Sequence, residues 1–159
     1  MNLFIDRHQQ VISVLIRNEV EFIIIGGYSV IFHGYKRTTG DVDIWINPDN
    51  KNRNKLIPAL KELDISEESI KMLSNLDFSK HLAFYLWKEP ERIDFLTYIN
   101  SVTFEEANEH KIVADIDGLK VPFLHINHLI LSKMSTGRIK DKADIEELQK
   151  IIRLMKDPE

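Results

Sequence analysis

The chain has no cysteine. Disulfides and thiolate-bound metals are thereby excluded, which suits a cytoplasmic protein. Proline and glycine are sparse, five and six in 159 residues, and no Pro/Gly/Ser-rich linker or internal repeat divides the chain. No apolar run approaches the length of a membrane helix. The start, MNLFIDRHQQ, lacks the basic residues, long apolar stretch and small-residue cleavage site of a signal peptide. Positive charge is not in excess either: the net charge of −4 disfavours broad binding to a nucleic-acid backbone. What is present is 43% hydrophobic and 29% charged, an ordinary globular composition long enough to bury one core. We expect a single domain over 1–159, with a core at about 20–122 and C-terminal helices at about 125–156.

Periodicity divides the chain further. Residues 3–17 put Phe4, His8, Val11, Ile12 and Leu15 on one helical face. The isoleucine-rich run from Phe22 to Ile25 reads as a buried strand leading into Gly26-Gly27. YSVIFHG reads as a short helix closed by Gly34. DVDIWI alternates and is rich in β formers, so residues 42–46 are predicted as a strand ended by Asn47-Pro48. Asp49 or Asn50 caps a helix to about Leu63, and Ser66 starts a second to about Leu76. HLAFYLW and RIDFLTYI are strands around a turn at Glu89-Pro90, and Phe104 to Glu109 is a short helix. KIVADIDGLKVPFL is a hairpin about Asp117-Gly118. Helices follow over Ile126–Met134 and Lys142–Met155, the second with an apolar stripe of Ile145, Leu148, Ile152 and Met155. Strands in the middle and helices at the ends predict an α+β fold: a mixed sheet with helices mainly on one face, plus a C-terminal helical segment.

The chemistry concentrates in GGYSVIFHGYKRTTGDVDIWI, residues 26–46. Gly26 and Gly27 let a backbone approach an anion closely, and Ser29 adds a hydroxyl; a plain tight turn explains the glycines equally well. Asp41 and Asp43 are two apart, so on a strand they share a face. Such carboxylates repel unless a cation lies between them, and hard oxygen ligands suit Mg²⁺. A solvated strand face is the alternative. Asp94, flanked by the apolar Ile93 and Phe95, supplies a third carboxylate if its strand neighbours the first. Glu91, at that strand's start, reads as solvated. Between glycines and aspartates, Lys36, Arg37, Thr38 and Thr39 are either phosphate donors or ordinary loop residues.

An apolar strand, Gly26-Gly27, thirteen intervening residues, Asp41-x-Asp43 and a later strand carboxylate at Asp94 resemble the polymerase-beta-type nucleotidyltransferase superfamily. HGYKRTTGDVDIWI looks most like its small bacterial branch, which includes antibiotic nucleotidyltransferases and nucleotidyltransferase partners in toxin–antitoxin pairs. LILSKMSTGRIKDKADIEEL resembles the helical segment of abortive-infection-type members. The resemblance spans about residues 20–150. It implies a nucleotide site of Gly26, Gly27, Ser29 and Lys133, to which the residue chemistry above adds Arg37 and Thr39. It also implies two Mg²⁺ ions, with Mn²⁺ as a substitute, held by Asp41, Asp43 and Asp94, the last also helping to deprotonate the acceptor. The chain departs from the usual pattern at Gly27, where many members carry serine; here serine comes two residues later.

The implied function is transfer of an NMP group from an NTP, ATP the commonest choice, to a hydroxyl acceptor with release of pyrophosphate. The acceptor is a small molecule, a protein or a tRNA. The alternative is a non-catalytic binding partner in a toxin–antitoxin pair; a homodimer is compatible with either, and no membrane is involved. Other residues have plainer expectations. His125 and His128 read as a helix start and a helix face rather than metal ligands. His33 packs at a helix end. Arg138, Lys140, Asp141, Lys142 and Asp144 read as a solvated, salt-bridged helix start, with a nucleotide or acceptor contact as the alternative. Trp45 is a half-buried aromatic or a surface for a base.

Overall fold

The run Phe22–Ile25 is buried at every position, as befits a strand covered on both sides. It is a central strand of the sheet. The computed structural model describes residues 3–156. In chain order the elements are α1 (Asp6–Arg17), β1 (Phe22–Ile25), α2 (Gly26–Phe32), β2 (Val42–Ile46), α3 (Asn50–Glu62), α4 (Glu67–Ser74), β3 (Ala83–Leu86), β4 (Ile93–Leu96), α5 (Phe104–His110), β5 (Ile112–Ile116), β6 (Leu119–Phe123), α6 (Ile126–Met134) and α7 (Ile139–Lys156). The strands form one mixed sheet in the order β3-β4-β2-β1-β6-β5. β1 runs antiparallel to β2 and parallel to β6, and β2 runs parallel to β4. This is the expected α+β class.

Local chemistry explains the boundaries. Asp49 accepts from the Lys51 N–H at the start of α3, and Ser66 from the Ser69 N–H at the start of α4. Both are side-chain caps for otherwise unpaired donors. At the β5–β6 hairpin Asp117 and Gly118 have φ of 51° and 87°, the left-handed pair that a two-residue turn matching strand twist requires. The Glu89–Pro90 peptide between β3 and β4 is cis.

Alternation along β2 sends its residues to two cores. Val42, Ile44 and Ile46 join Phe22, Ile24, Ile93 and Phe95 beneath α1, α3 and α4. Trp45, on the other face, packs with Ile23, Ile25 and the helices α5, α6 and α7. One face therefore carries the expected helical layer, and the C-terminal segment covers the other. Trp45 is only 1% exposed and meets Phe104 edge-on, so it is core and offers no surface to a base. The stripe on α7 is shorter than its periodicity suggests: Leu148 is buried, but Met155 is 70% exposed, because α7 runs on past its supporting neighbours. No helix among the described residues is long and apolar enough to cross a membrane.

Candidate active site

Register brings the two arms of residues 26–46 together. Ile25 pairs with Asp43 across the β1–β2 ladder, so the chain leaves β1 beside Asp43 and enters α2 through Gly26. Gly26 has φ of +68°, and a Cβ there would lie 2.1 Å from Asp43 Oδ2. A Cβ on Gly27 would lie 2.5 Å from Thr39 Oγ1 and 3.1 Å from an Arg37 nitrogen. The glycines are thus needed because the aspartate strand and the loop before it press against the turn. Gly26→Ala is expected to lose about 2 kcal/mol or more, from left-handed strain plus collision. Thermal unfolding and a transfer assay check this, and both should fall together because Asp43 must move.

Asp43 also pairs with Asp94 across the parallel β2–β4 ladder. Neighbouring strands lie about 4.8 Å apart, so these carboxylates are side by side. Asp41 lies just before β2, one strand-step pair back on the same face, and Arg92 precedes β4 in the same way. Asp41 and Arg92, Asp43 and Asp94 therefore occupy the corners of a square at the sheet's end. Arg92 forks onto Asp94, with Nη2 3.0 Å from Oδ1 and Nε 3.2 and 3.3 Å from the two oxygens. Its Nε is also 3.9 Å from Asp41 Oδ2. The guanidinium rests over the Tyr85 ring, 4.0 Å from its centre. Asp41 Oδ1 is buried with no hydrogen-bond partner.

Asp43 receives no such cation. Burial first, then the neighbouring charges of Asp94 and Asp41, push its carboxyl from 3.8 up to about 6, against the opposing pull of Lys133 and Lys140. The folded protein therefore holds this proton more tightly than the unfolded chain. That advantage is present at low pH and is lost as pH rises from about 4 to about 6. At about 1.4 kcal/mol per pH unit it amounts to at most about 3 kcal/mol. The metal-free Asp43→Asn protein is expected to match wild type in stability near pH 4 and exceed it above pH 6. Denaturant melts across that range in chelator would show it, and a constant difference would contradict it.

The rest of the sequence-derived set is arranged around this square. Ser29 is fully buried and its hydroxyl donates to the Gly26 carbonyl at 3.0 Å, so it braces the turn. Thr39 packs on Gly27. Arg37 is only 13% exposed and forms an ion pair with Asp144, Nε to Oδ1 3.1 Å, with Nη2 donating to Oδ2 at 3.2 Å. Lys133 sits between Asp141 and Asp144, at 3.0 and 3.1 Å. A cavity of about 290 Å³ next to Asp43 is lined by Gly26, Leu96, Tyr98, Lys133, Thr136 and Arg138 among others. Asp141 and Asp144 are each 1% exposed. This corrects the reading of the Arg138–Asp144 stretch as a solvated helix start. Lys133 and Arg37 reach these carboxylates from facing elements, and α7 begins at Ile139 rather than Lys142. Arg138 and Thr136 add bonds to Asp141 at 2.8 and 2.6 Å, and with Lys133 they hold its carboxyl down at about 2 despite burial.

Sequence reasoning missed Arg92, although its signal was there: it stands two residues before Asp94 and so shares its face. Asp144, named only as part of a solvated helix start, has its partners on other elements. Glu91, read as solvated, is in contact with Arg7 at 3.2 Å. His33 Nε2 donates to the Leu124 carbonyl at 2.7 Å at the end of α2. His125 caps α6, its Nδ1 accepting from the Asn127 N–H at 3.1 Å. The side chains with the chemistry to hold a divalent cation are Asp41, Asp43 and Asp94: three hard oxygen donors, one of them with an orphaned oxygen and one crowded by like charge. As the side chains stand, no group of three or more His, Asp or Glu among the described residues is set to hold a metal ion.

Comparison with known proteins gives a consistent fold. The chain is similar to the lincosamide antibiotic adenylyltransferase LnuA in its lincomycin-bound crystal structure, at 16% identity and TM-score 0.56, over 95% of this chain and 99% of that one. It is similar to ANT(2'')-Ia in complex with adenylyl-2''-tobramycin, at 12% identity and TM-score 0.52, over 92% and 91%. An antigenic nucleotidyltransferase-like protein from Paracoccidioides brasiliensis also matches, at 14% identity and TM-score 0.54, over 93% and 75%. At these identities the likeness speaks to the fold alone. No curated protein matches the chain. The model of the family described as "Nucleotidyltransferase of unknown function (DUF6036)" matches residues 4–155, so the chain belongs to that nucleotidyltransferase family, in keeping with its resemblance to the polymerase-beta-type superfamily.

Proposed function

We propose that this protein transfers an NMP group from an NTP to a hydroxyl acceptor, releasing pyrophosphate, with Asp41, Asp43 and Asp94 holding divalent cations. The observation that carries the reading is the meeting of the glycine turn with the carboxylates, where Gly26 has room for no side chain beside Asp43. The family supports nucleotidyl transfer in general. Mg²⁺, or Mn²⁺ in its place, would neutralise the triphosphate and the leaving pyrophosphate when bound there.

The chain's own residues position the reactants. Gly26 and Gly27 keep side chains out of the space where a triphosphate would lie against the sheet end. Ser29 holds that turn through the Gly26 carbonyl. Thr39 and Arg37 brace it from the other side, Arg37 anchored in turn by Asp144. Lys133 contributes the cationic wall of the cavity beside Asp43. Asp94 accepts the proton of the acceptor hydroxyl. The acceptor oxygen then bonds to the α-phosphorus, the bond between the α-phosphorus and the bridging oxygen to the β-phosphate breaks, and pyrophosphate leaves with that oxygen. ATP is the first choice of donor. The acceptor of choice is a small hydroxylated molecule, since the two antibiotic-modifying neighbours share the fold over nearly their whole length; protein and tRNA hydroxyls are the other classes.

Incubation with each α-labelled NTP, Mg²⁺ and a panel of lincosamides, aminoglycosides, tRNA and the protein itself tests the proposal. Label should move to one acceptor class, with one pyrophosphate per transfer. Label transfer from γ-labelled but not α-labelled NTP would mean a kinase reaction instead. No transfer, together with no nucleotide binding by calorimetry, would favour a non-catalytic binding partner.

A further inference from the structure

Four charged side chains meet at the end of the sheet, three of one sign. Arg92 is the fourth, and its placement is specific. It engages both oxygens of Asp94, approaches Asp41 and sits over the Tyr85 ring. All three side chains are partly exposed, Arg92 at 36%, Asp41 at 31% and Asp94 at 25%, so the guanidinium is free to leave towards solvent. The guanidinium contacts both oxygens of Asp94, on the strand that neighbours Asp43.

We propose that Arg92 is a guanidinium latch, which neutralises the carboxylates in the metal-free protein and must be displaced from Asp94 before a divalent cation can bind. The inference rests on the metal-dependent reading above. Geometry separates it from a plain supporting role. A residue that orients a metal ligand helps the metal to bind, whereas a guanidinium paired with the ligand's own charge competes with the metal for it. Arg92 contacts both oxygens of Asp94 and approaches Asp41 as well, so it competes for the charge of two carboxylates at once.

Tyr85 gives the displaced group somewhere to go. Tyr85 pairs with Asp94 across the β3–β4 ladder and the residue is 58% exposed. The guanidinium can slide along this face, keeping its cation–π contact, while Asp94 turns to the ion. The same movement releases the Asp94 oxygens that the guanidinium contacts, the atoms to which an acceptor hydroxyl would give its proton. Metal binding and readiness for chemistry are thereby tied to one movement.

The test is direct metal titration without nucleotide. Mn²⁺ binding is measured by calorimetry and by loss of the free-ion EPR signal for wild type, Arg92→Gln and the Arg92→Gln/Asp43→Asn pair, with melting curves in chelator to show that each folds. The latch predicts that Arg92→Gln binds Mn²⁺ at least about tenfold more tightly, the reverse of the tenfold to hundredfold loss that removing a supporting residue brings. It also predicts a lower melting temperature in chelator, and loss of the gain in the double variant. Arg92→Lys, with the charge but not the fork, should fall between. Equal or weaker binding by Arg92→Gln, with wild type binding normally, would overturn the latch and leave the metal site standing. Absence of Mn²⁺ binding in both would overturn the latch and the metal-dependent reading together.

Discussion

Asp43→Asn should lower nucleotidyl transfer by at least about a thousandfold, about 4 kcal/mol of transition-state stabilisation. The substitution keeps the shape of the side chain and its place beside Gly26. It removes the one carboxylate that both adjoins the glycine turn and pairs with Asp94. The fold should survive, because the neutral amide relieves the crowding that holds the Asp43 carboxyl up at about 6. Activity and stability are thus expected to move in opposite directions, which separates a chemical role from a structural one. Asp41→Asn should abolish transfer as well. Label transfer from α-labelled NTP, beside a melt in chelator, reads both quantities. Full activity in either variant would end the two-metal reading.

The second large effect is structural. Asp144→Ala should destabilise the protein by about 3 kcal/mol, the lower end of what breaking a buried ion pair costs. Asp144 is 1% exposed and takes Arg37 on one side and Lys133 on the other. Removing it strands Arg37, only 13% exposed, and takes one of two acidic partners from Lys133, only 10% exposed. Lys133 keeps Asp141, which places the effect at the lower end. The consequence should reach the active site, because Arg37 braces the loop against Gly27. Denaturant unfolding measures the loss; a change below about 1 kcal/mol, the scale of an exposed pair, would show that the network is solvated after all.

The two arms of the site lay within one short segment of sequence, and their signals were local. Glycines at the end of an isoleucine run and aspartates at period two are features of neighbouring residues, so the meeting of Gly26 with Asp43 could be anticipated from topology. Asp94 was legible because its flanking Ile93 and Phe95 fix the face of its strand. Strand and hairpin boundaries were legible for the same reason: alternation, caps and a left-handed turn pair are short-range properties.

What stayed hidden depends on contacts across the fold. The charges at Arg138–Asp144 look solvated in sequence because each acidic residue has basic neighbours. In the folded chain those acids turn inwards to Lys133 and Arg37, which come from α6 and from the loop before β2. Burial of a charge is set by which element faces it, and periodicity carries no such information. Arg37 and Lys133, expected at a nucleotide, are held by this network. Trp45 follows the same logic: the alternation that aims it away from Val42 and Ile44 is visible, but the α5 residues that bury it are sixty positions downstream. Arg92 was overlooked because a basic residue beside a carboxylate on a strand suggests only a surface ion pair, and its fork over Asp94 needs Tyr85 from the adjacent strand beneath it.

The central claim is that the carboxylates and the glycine turn act as one metal-dependent nucleotide site. Calorimetric titration of wild type and Asp43→Asn with a non-hydrolysable ATP analogue, with Mg²⁺ and with chelator, tests it most directly. Binding should require Mg²⁺ in wild type and disappear in Asp43→Asn. Equal binding in chelator, or unchanged Mg²⁺-dependent binding in Asp43→Asn, would contradict it.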